Sequence, residues 1–402
     1  MLLTYFQQAF LAFRARLQPT DELPSLSGSA GRLPALKAYR SGMTCLCNTT
    51  ALEIYRASGR LLPQLLERPR TGKLEDTCLP DRESLAHELR LLGAKTRPYR
   101  LMVASKASTH RRDDVRFRVC SAALPPNALI RISDRTLITG PELTFLQLAT
   151  NDDLDEVSLG LIACELCGTY VLDTSWDGLT NTDKPLTSVA RIGSFLDQMP
   201  GTRGCRLARR ALELALDNSN SPMESALAML LCASRRYGGM GLAPARLNHP
   251  VRTPDGTRYV DLAFPKHKVG LEYKGKEYHS IEASERDDRR QNKVVGSGMT
   301  ILNVWHEDLK SRHLFDQLLR DLHRAMGIRL RRKDDFLYRQ DILRARLMPK
   351  GSERNGDSPY GKRAGSSGNG TFSEDELTDR IDDDQPLFDD LLHESEASWE
   401  SD

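Results

Sequence analysis

The most regular alternation of apolar and polar residues along the chain lies in two short runs near residue 260. The runs are RYVDLAF at 258–264 and VGLEYKG at 269–275. Successive side chains on a β-strand point to opposite faces, so this pattern predicts two half-buried strands. Only four residues, PKHK, separate the end of one strand from the start of the next, and this spacing predicts a β-hairpin.

The length of the loop fixes how the two strands pair. If the four loop residues join Phe264 to Val269, the same register places Asp261 opposite Glu272, and Lys274 lies on the face of the two carboxylates. The opposite, apolar face is formed by Val260, Leu262, Phe264, Val269, Leu271 and Tyr273. A slip of one residue would bury the charges, so the register is strongly specified.

Helical and strand-like patterns fill the chain upstream of the hairpin. Strands are predicted at 99–104, 115–119, 128–131 and 136–139, and a helix is predicted at 85–92. A further helix is expected to begin at Pro141, because proline is favoured in the first turn. Two or three more helices are expected before residue 217, so this half of the chain is predicted to be mixed α/β.

The patterns around the hairpin predict a second mixed α/β region. Ser221 and Pro222 are expected to begin a helix, with Ser221 as its N-cap and Glu224 in its first turn. A loop is predicted from there to about residue 250. After the hairpin come a charged helix at 283–295, a strand at 300–304 and a long helix at 306–326.

These changes of pattern divide the chain into four parts. Residues 1–217 form a mixed α/β regulatory or recognition region, and residues 218–328 form the domain that carries the hairpin. Residues 329–348 are a basic helical extension. Residues 349–402 are a Gly/Ser-rich linker and an acidic tail, which are predicted to be disordered because they bury too little apolar surface to offset the entropy of ordering.

The net charge of +2 conceals a strong asymmetry along the chain. Residues 373–402 hold 13 acidic residues and one arginine, which leaves a net charge of +14 on residues 1–372. A basic body is typical of a protein that binds a polyanion such as nucleic acid, although dispersed basic residues also serve solubility. The tail either competes with nucleic acid for the body, as an autoinhibitory segment, or only keeps the protein in solution.

Two further patterns bear on where the protein works. No apolar run reaches the roughly 18 residues that span a bilayer, and the first 17 residues lack the features of a signal peptide. A cytoplasmic protein with no membrane partner is therefore expected. Cys164 and Cys167 form a CxxC motif inside the apolar segment LGLIACELCGTY, without a second CxxC or nearby histidine, so core cysteines are predicted there.

The polar face of the hairpin has the composition of a divalent-metal site. Two carboxylates directly opposite one another repel, and a bound cation would offset that repulsion. Mg²⁺ prefers a few carboxylate oxygens, water and substrate phosphate. Such an ion promotes phosphodiester hydrolysis by polarising the phosphoryl oxygen and by generating hydroxide from bound water. Lys274 would stabilise the attacking water or the charge that develops on the phosphorane.

The sequence resembles the PD-(D/E)XK nuclease superfamily, and more closely its small Vsr-like endonuclease domains. The resemblance rests on Asp261 and the E-x-K of Glu272 and Lys274, preceded by a helix that carries Glu224. The segments GLEYKGKEYH, RDDRRQN and TILNV then follow in the family's order of histidine, D-x-x-R helix and final strand. It covers residues 218–328, and Val260 stands where the name-giving proline would be.

The resemblance implies a restriction-endonuclease-like core, in which helices flank a central mixed sheet, and cleavage of DNA with Mg²⁺ or Mn²⁺. It implies that Asp261 and Glu272 ligate the metal together with the backbone carbonyl of Tyr273. It also implies that Lys274 is catalytic.

Four more residues take roles from the same resemblance. Glu224 would be an additional acid near the metal, or it serves only to cap its helix. His279 would be a general acid–base or a phosphate contact, or it is a structural residue. Asp287 and Arg290, one helical turn apart, are expected to orient this region rather than take part in the chemistry.

The N-terminal half more weakly resembles the AbiEi-type antitoxin regulators. The similar segments are TTALEIYR at 49–56 and RTLITGPELTFLQLA at 135–149. This resemblance implies a toxin–antitoxin or phage-defence setting and a protein partner from a neighbouring gene. Two functions therefore stay open. One is a DNA endonuclease in phage defence, a toxin–antitoxin system or repair, and the other is a non-catalytic DNA-binding regulator that keeps the nuclease fold as a scaffold.

Overall fold

The computed structural model describes residues 43–59, 62–74, 79–109, 112–173, 178–274, 294, 296 and 298–348. Several predicted features lie outside these ranges, namely His279, the helix segment with Asp287 and Arg290, and the linker and acidic tail. Within them the chain is a mixed α/β protein, as predicted. No helix in the described ranges is both long enough and apolar enough to cross a membrane.

The N-terminal region is built on a mixed sheet. Its strands are β1 (Thr44–Leu46), β2 (Arg70–Thr71), β3 (Tyr99–Val103), β4 (Val115–Val119), β5 (Leu129–Ser133) and β6 (Thr136–Thr139). They are arranged in the order β2-β5-β6-β1-β3-β4. Strand β1 is parallel to β6 and antiparallel to β3. The four strands predicted in this region are therefore confirmed, and the short strands β1 and β2 complete the sheet.

Helices and one small hairpin complete this region. The helices are α1 (Asn48–Ser58), α2 (Leu62–Leu66), α3 (Arg82–Leu91), α4 (Pro141–Leu148), α5 (Glu156–Leu166), α6 (Val189–Gln198) and α7 (Cys205–Leu212). Helix α4 begins at Pro141, as predicted. The hairpin consists of β7 (Tyr170–Asp173) and β8 (Gly178–Asn181), which pair antiparallel and were not predicted from the sequence.

The CxxC motif lies at the C-terminal turn of α5. Both Cys164 and Cys167 are fully buried, as predicted, and both are free thiols. Burial raises the pKa of Cys164 to about 11 and raises the pKa of Cys167 as well. A buried thiol resists ionisation because the thiolate is disfavoured away from water, so these cysteines are core residues.

The second sheet carries the predicted hairpin. Its strands are β9 (Arg246–Thr253), β10 (Gly256–Phe264), β11 (Val269–Lys274) and β12 (Thr300–Trp305), in the order β12-β11-β10-β9. Strands β9, β10 and β11 are antiparallel neighbours, and β12 is parallel to β11. The sheet is therefore mixed, and β12 confirms the strand predicted at 300–304.

Strand β9 corrects the loop that was predicted up to residue 250. Its sequence, RLNHPVRT, lacks an apolar alternation and contains Asn248 and Pro250, which are residue types depleted in strands. Proline cannot donate a hydrogen bond to a neighbouring strand, so within sheets it occupies edge strands. Strand β9 is such an edge in the described part of the sheet, and Pro250 is tolerated there.

The helices of this region are α8 (Pro222–Cys232), α9 (His306–Lys310), α10 (Arg312–Met326) and α11 (Asp334–Leu347). The single long helix predicted at 306–326 is divided at Ser311, whose backbone is extended with φ −82 and ψ 126. Its hydroxyl accepts the backbone N–H of Leu314, so Ser311 ends α9 and caps α10. Helix α11 lies within the basic extension predicted at 329–348.

The apolar core is continuous across residues 217 and 218, where the sequence patterns change. Helices α5 and α8 pack closely at Gly160, where an added Cβ would lie 2.9 Å from Leu214 Cβ and 3.0 Å from Met229 Cε. Strand β7 also contacts α8, since the Tyr170 hydroxyl lies 3.1 Å from the Ser225 hydroxyl. Helix α8, which carries Glu224, is therefore held from the N-terminal side of the molecule.

Candidate active site

The hairpin has the register that the sequence predicts. Phe264 pairs with Val269, and Leu262 pairs with Leu271. The loop between the strands is a single turn, Pro265–His267, closed by Lys268 in the left-handed region with φ 54. Continuing this register by one residue brings Asp261 to the level of Glu272.

The sheet divides at the level of Asp261 and Glu272. Among the described residues, the ladder between β10 and β11 ends at Leu262. Beyond this level β10 stays paired with β9, and β11 stays paired with β12 as far as Lys274. We term this point the fork. The predicted metal ligands and the predicted catalytic lysine therefore lie where two pairs of strands separate.

A hydrogen bond holds Asp261 across the fork. The backbone N–H of Tyr273 donates to Asp261 Oδ2 at 2.8 Å. The Asp261 carboxylate therefore lies beside the backbone between Glu272 and Lys274, within hydrogen-bond distance of the residue whose carbonyl was predicted as a ligand.

The predicted apolar face of β10 is corrected at Val260. Val260 packs with Ala263 and Val251 in a small separate cluster, whereas Leu262 lies in the main core. Strict alternation would place Val260 on the face of Leu262 instead. The alternation is therefore interrupted between Val260 and Ala263, at the segment that contains Asp261.

The strand on the other side of β10 is irregular at the same level. Asn248 lies across from Asp261 but is skipped by the ladder, and its φ of 46 places it in the left-handed region. From there its Nδ2 donates to Glu224 Oε2 at 3.2 Å and to the carbonyl of Asn218 at 2.6 Å. Its Oδ1 accepts Nδ2 of Asn220 at 2.6 Å. Asn248 thus connects β9 to the start of α8.

Glu224 both stabilises the start of its helix and lies near Asp261, so its two predicted roles are compatible. Ser221 is the N-cap, as predicted, and its Oγ accepts the backbone N–H of Glu224 at 3.2 Å. The Glu224 carboxylate reaches back to accept the backbone N–H of Asn220 at 2.8 Å and the Ser221 hydroxyl at 3.1 Å. Glu224 is only 8% exposed.

The electrostatics of Glu224 connect it to Asp261. Burial, and after it the negative charge of Asp261, raise the pKa of Glu224 to about 7. Hydrogen bonds from Asn220, Ser221 and Asn248 act in the opposite direction and lower this pKa. Two carboxylates that repel one another in a partly dry site are an arrangement that a cation stabilises.

Glu272 and Lys274 are half-buried on β11. They are two residues apart on one strand, so their side chains point to the same face. Their partners on β12 are Asn303 and Trp305, respectively. Trp305 is 55% exposed although it lies beside the predicted catalytic lysine.

The structure adds residues that the sequence did not single out. Asn220 and Asn248 hold Glu224, and Asn303 lies beside Glu272. Nδ1 of His306 lies 3.4 Å from the hydroxyl of Tyr273. Asparagines and a lone histidine carry no spacing signal of their own, so only the three-dimensional arrangement brings them to notice.

The donor atoms near the fork are oxygens, the ligand type that Mg²⁺ prefers. Mg²⁺ takes oxygen ligands and keeps several waters, so two carboxylates and a backbone carbonyl suffice. No group of three or more His, Cys, Asp or Glu side chains is arranged to hold a metal in the described ranges. The raised pKa of Glu224 beside Asp261 is the observation that fits a positive charge here.

Comparison of the chain with protein-family models, with curated proteins and with solved structures finds no match in any of the three.

Proposed function

We propose that the chain is a metal-dependent endonuclease that hydrolyses phosphodiester bonds of DNA in the cytoplasm. The observation that carries the proposal is the hydrogen bond from the Tyr273 N–H to Asp261 at the fork. It sets one carboxylate beside the strand of Glu272 and Lys274 and within electrostatic reach of Glu224. Carboxylates that can hold a metal ion, a lysine and a buried acid are groups that metal-dependent phosphodiester hydrolysis can use.

Each group has a distinct task in this proposal. Asp261, Glu272 and the carbonyl of Tyr273 would hold Mg²⁺ or Mn²⁺, which supplies charge to the phosphoryl oxygens and lowers the pKa of bound water. Lys274 orients the attacking water and neutralises charge that develops on the phosphate. Glu224, with a pKa of about 7, can accept and return a proton near neutral pH.

Cleavage of plasmid DNA tests the proposal directly. The purified chain with Mg²⁺ or Mn²⁺ is expected to nick or cut supercoiled plasmid, and chelation is expected to stop it. Asp261→Ala or Lys274→Ala should lower the rate by at least about a hundredfold. Lys266→Ala is the matched control, since Lys266 is an exposed lysine in the turn at the other end of the hairpin.

Two results would count against the nuclease. Full activity in Asp261→Ala and Lys274→Ala would show that the cutting comes from elsewhere. Tight, salt-sensitive binding to one operator sequence, independent of metal and without any cutting, would instead favour the non-catalytic regulator. In either case, we propose that the N-terminal region selects the target or binds a partner protein.

A further inference from the structure

Strands β9 and β10 continue past the fork as a two-stranded arm, defined as residues 249–260. Five cross-strand pairs make up the arm, from Val260 with His249 to Gly256 with Thr253. At about 3.4 Å per residue the arm is roughly 15 Å long. It begins directly beside Asp261, because Val260 is its last residue before the candidate site.

The two faces of the arm differ sharply. On one face Val251 and Val260 are buried, at 8% and 0% exposure, in the small cluster with Ala263. The other face is made of two cross-strand pairs, Arg252 with Thr257 and Tyr259 with Pro250. All four of these residues are exposed, and Tyr259 is 51% exposed. We term these four residues the exposed face of the arm.

The charge around the exposed face suits a polyanion. The arm carries two arginines, Arg252 and Arg258, against one carboxylate, Asp255 at its tip. Asp255 is paired with Arg258 at 2.9 Å, so the arm keeps a net charge of +1, which lies on the exposed face at Arg252. A positive charge at this position attracts phosphate.

We propose that the arm enters the major groove of duplex DNA with its exposed face toward the base edges. This inference rests on the proposed nuclease function and names its substrate as a duplex. The major groove of B-form DNA is about 12 Å wide and admits a two-stranded β-ribbon. The corresponding groove of A-form RNA is too narrow and deep for side chains to reach the bases. The shape of the arm therefore selects DNA over double-stranded RNA.

The residues of the exposed face match contacts that the major groove offers. The guanidinium of Arg252 can donate two hydrogen bonds to one guanine, and the methyl group of Thr257 can contact a thymine methyl. Tyr259 lies two residues from Asp261 along β10, about 7 Å away. A base pair that contacts Tyr259 would therefore lie within one or two nucleotides of the phosphate at the candidate site.

Binding measurements in a cutting-deficient background test the arm without relying on catalysis. The full chain with Lys274→Ala is titrated with labelled duplex DNA, single-stranded DNA and duplex RNA of one sequence, and with duplex DNA of a second sequence. The parent is expected to prefer duplex DNA, and adding Arg252→Ala or Tyr259→Ala should weaken duplex binding by about tenfold. Arg252→Lys keeps the charge but not the paired hydrogen bonds, so it should retain affinity while losing sequence preference.

Arg324→Ala is the matched control. It removes the same charge from a side chain that is 78% exposed. Arg324 lies on α10 two residues before Met326, whose carbonyl contacts His267 in the turn farthest from the arm. Its loss is expected to change duplex affinity by less than about twofold.

Two results would overturn the proposal that the arm binds duplex DNA. One is unchanged duplex affinity in the Arg252→Ala and Tyr259→Ala variants, provided that their circular dichroism and unfolding curves match those of the parent. The other is a parent that prefers single-stranded DNA or duplex RNA. The two proposals fail separately. If the chain cuts no DNA but the arm variants lose duplex binding, the nuclease proposal is rejected and the proposal for the arm stands. If the chain cuts DNA and the arm variants bind duplex normally, only the proposal for the arm is rejected.

Discussion

A single buried carboxylate, Glu224, gives the candidate site its clearest pH dependence. The pKa of Glu224 is raised from 4.5 to about 7 in the folded chain. A raised carboxyl pKa favours the folded state at low pH, and that advantage disappears as pH rises through the folded pKa. In the metal-free protein, stability relative to Glu224→Gln should therefore fall between about pH 4.5 and pH 7, by up to about 3 kcal/mol.

Urea unfolding of the wild type and Glu224→Gln at pH 4.5 and pH 8 measures this change. At each pH the free energy of unfolding of Glu224→Gln is subtracted from that of the wild type. Any effect of the substitution that does not depend on pH cancels when these two differences are compared. Mg²⁺ at pH 8 should restore part of the lost stability if the ion binds beside Glu224, because a cation favours the ionised carboxylate. Parallel pH curves for the two proteins would show that the carboxylate ionises as it does in the unfolded chain.

Residues whose chemistry forms a local pattern could be predicted, and residues that act through tertiary contacts could not. The level of Asp261 with Glu272, and of Lys274 further along β11, follows from loop length within one hairpin, although the predicted alternation is interrupted at Asp261. Asn248 could not be found in this way, because its role depends on a left-handed backbone opposite Asp261 and on a contact with Glu224 in another element. The residues next to Asn248 in the sequence indicate neither the left-handed backbone nor the contact with Glu224.

At the scale of elements, the close approach of β10, β11 and β12 depends on Gly270. An added Cβ at this position would lie 2.6 Å from Val260 Cγ1 and 2.8 Å from Ile301 Cδ1. Gly270→Ala should therefore destabilise the protein by roughly 1–3 kcal/mol. Since the strain falls on the strands that meet at the fork, the cleavage rate with Mg²⁺ should fall as well.

A double-mutant cycle in urea identifies the clash. Val260→Ala removes the closest atom, so the double variant should lose less stability than the two single changes added together, with a coupling of about 0.5–3 kcal/mol. Gly296→Ala serves as the control, because its Cβ would meet no atom within 4 Å. If the losses of stability in Gly270→Ala and Val260→Ala simply add in the double variant, the strain does not arise from contact with Val260.

The elements themselves were predicted well where packing follows a regular period, and poorly where an irregular strand depends on its neighbour. Strands β10, β11 and β12 and the start of α8 agree with the sequence patterns. Strand β9 was missed because its own residues show no apolar alternation. Its strand conformation depends on pairing with β10. The fork was not predicted either, since hairpin register alone does not show where a ladder ends.

On the scale of the whole molecule, the apolar core joins the two regions that the sequence patterns separate. Buried residues on both sides of residue 217 belong to one cluster. The helix that supplies Glu224 packs against α5 at Gly160. The region proposed to select a target is therefore in direct contact, through α8, with the region proposed to cut it.

The charge of the whole chain leads to a prediction about residues 349–402. They carry fifteen carboxylates against five lysines and arginines, and residues 1–348 have a net charge of +12 without them. Removing them should tighten binding to duplex DNA at low salt, since binding to phosphate scales with the positive charge available. The gain should shrink as salt rises, because screening weakens long-range attraction.

Titrations of the full chain and of residues 1–348, over a series of salt concentrations, measure this effect. A matched variant of full length, in which the thirteen acids of residues 373–402 are replaced by asparagine or glutamine, separates charge from length. If that variant binds at least as tightly as the shortened chain, charge is the cause, and a steeper salt dependence than that of the parent should accompany it. Equal affinity of the full and shortened chains at every salt concentration would leave the acidic residues with a role in solubility alone.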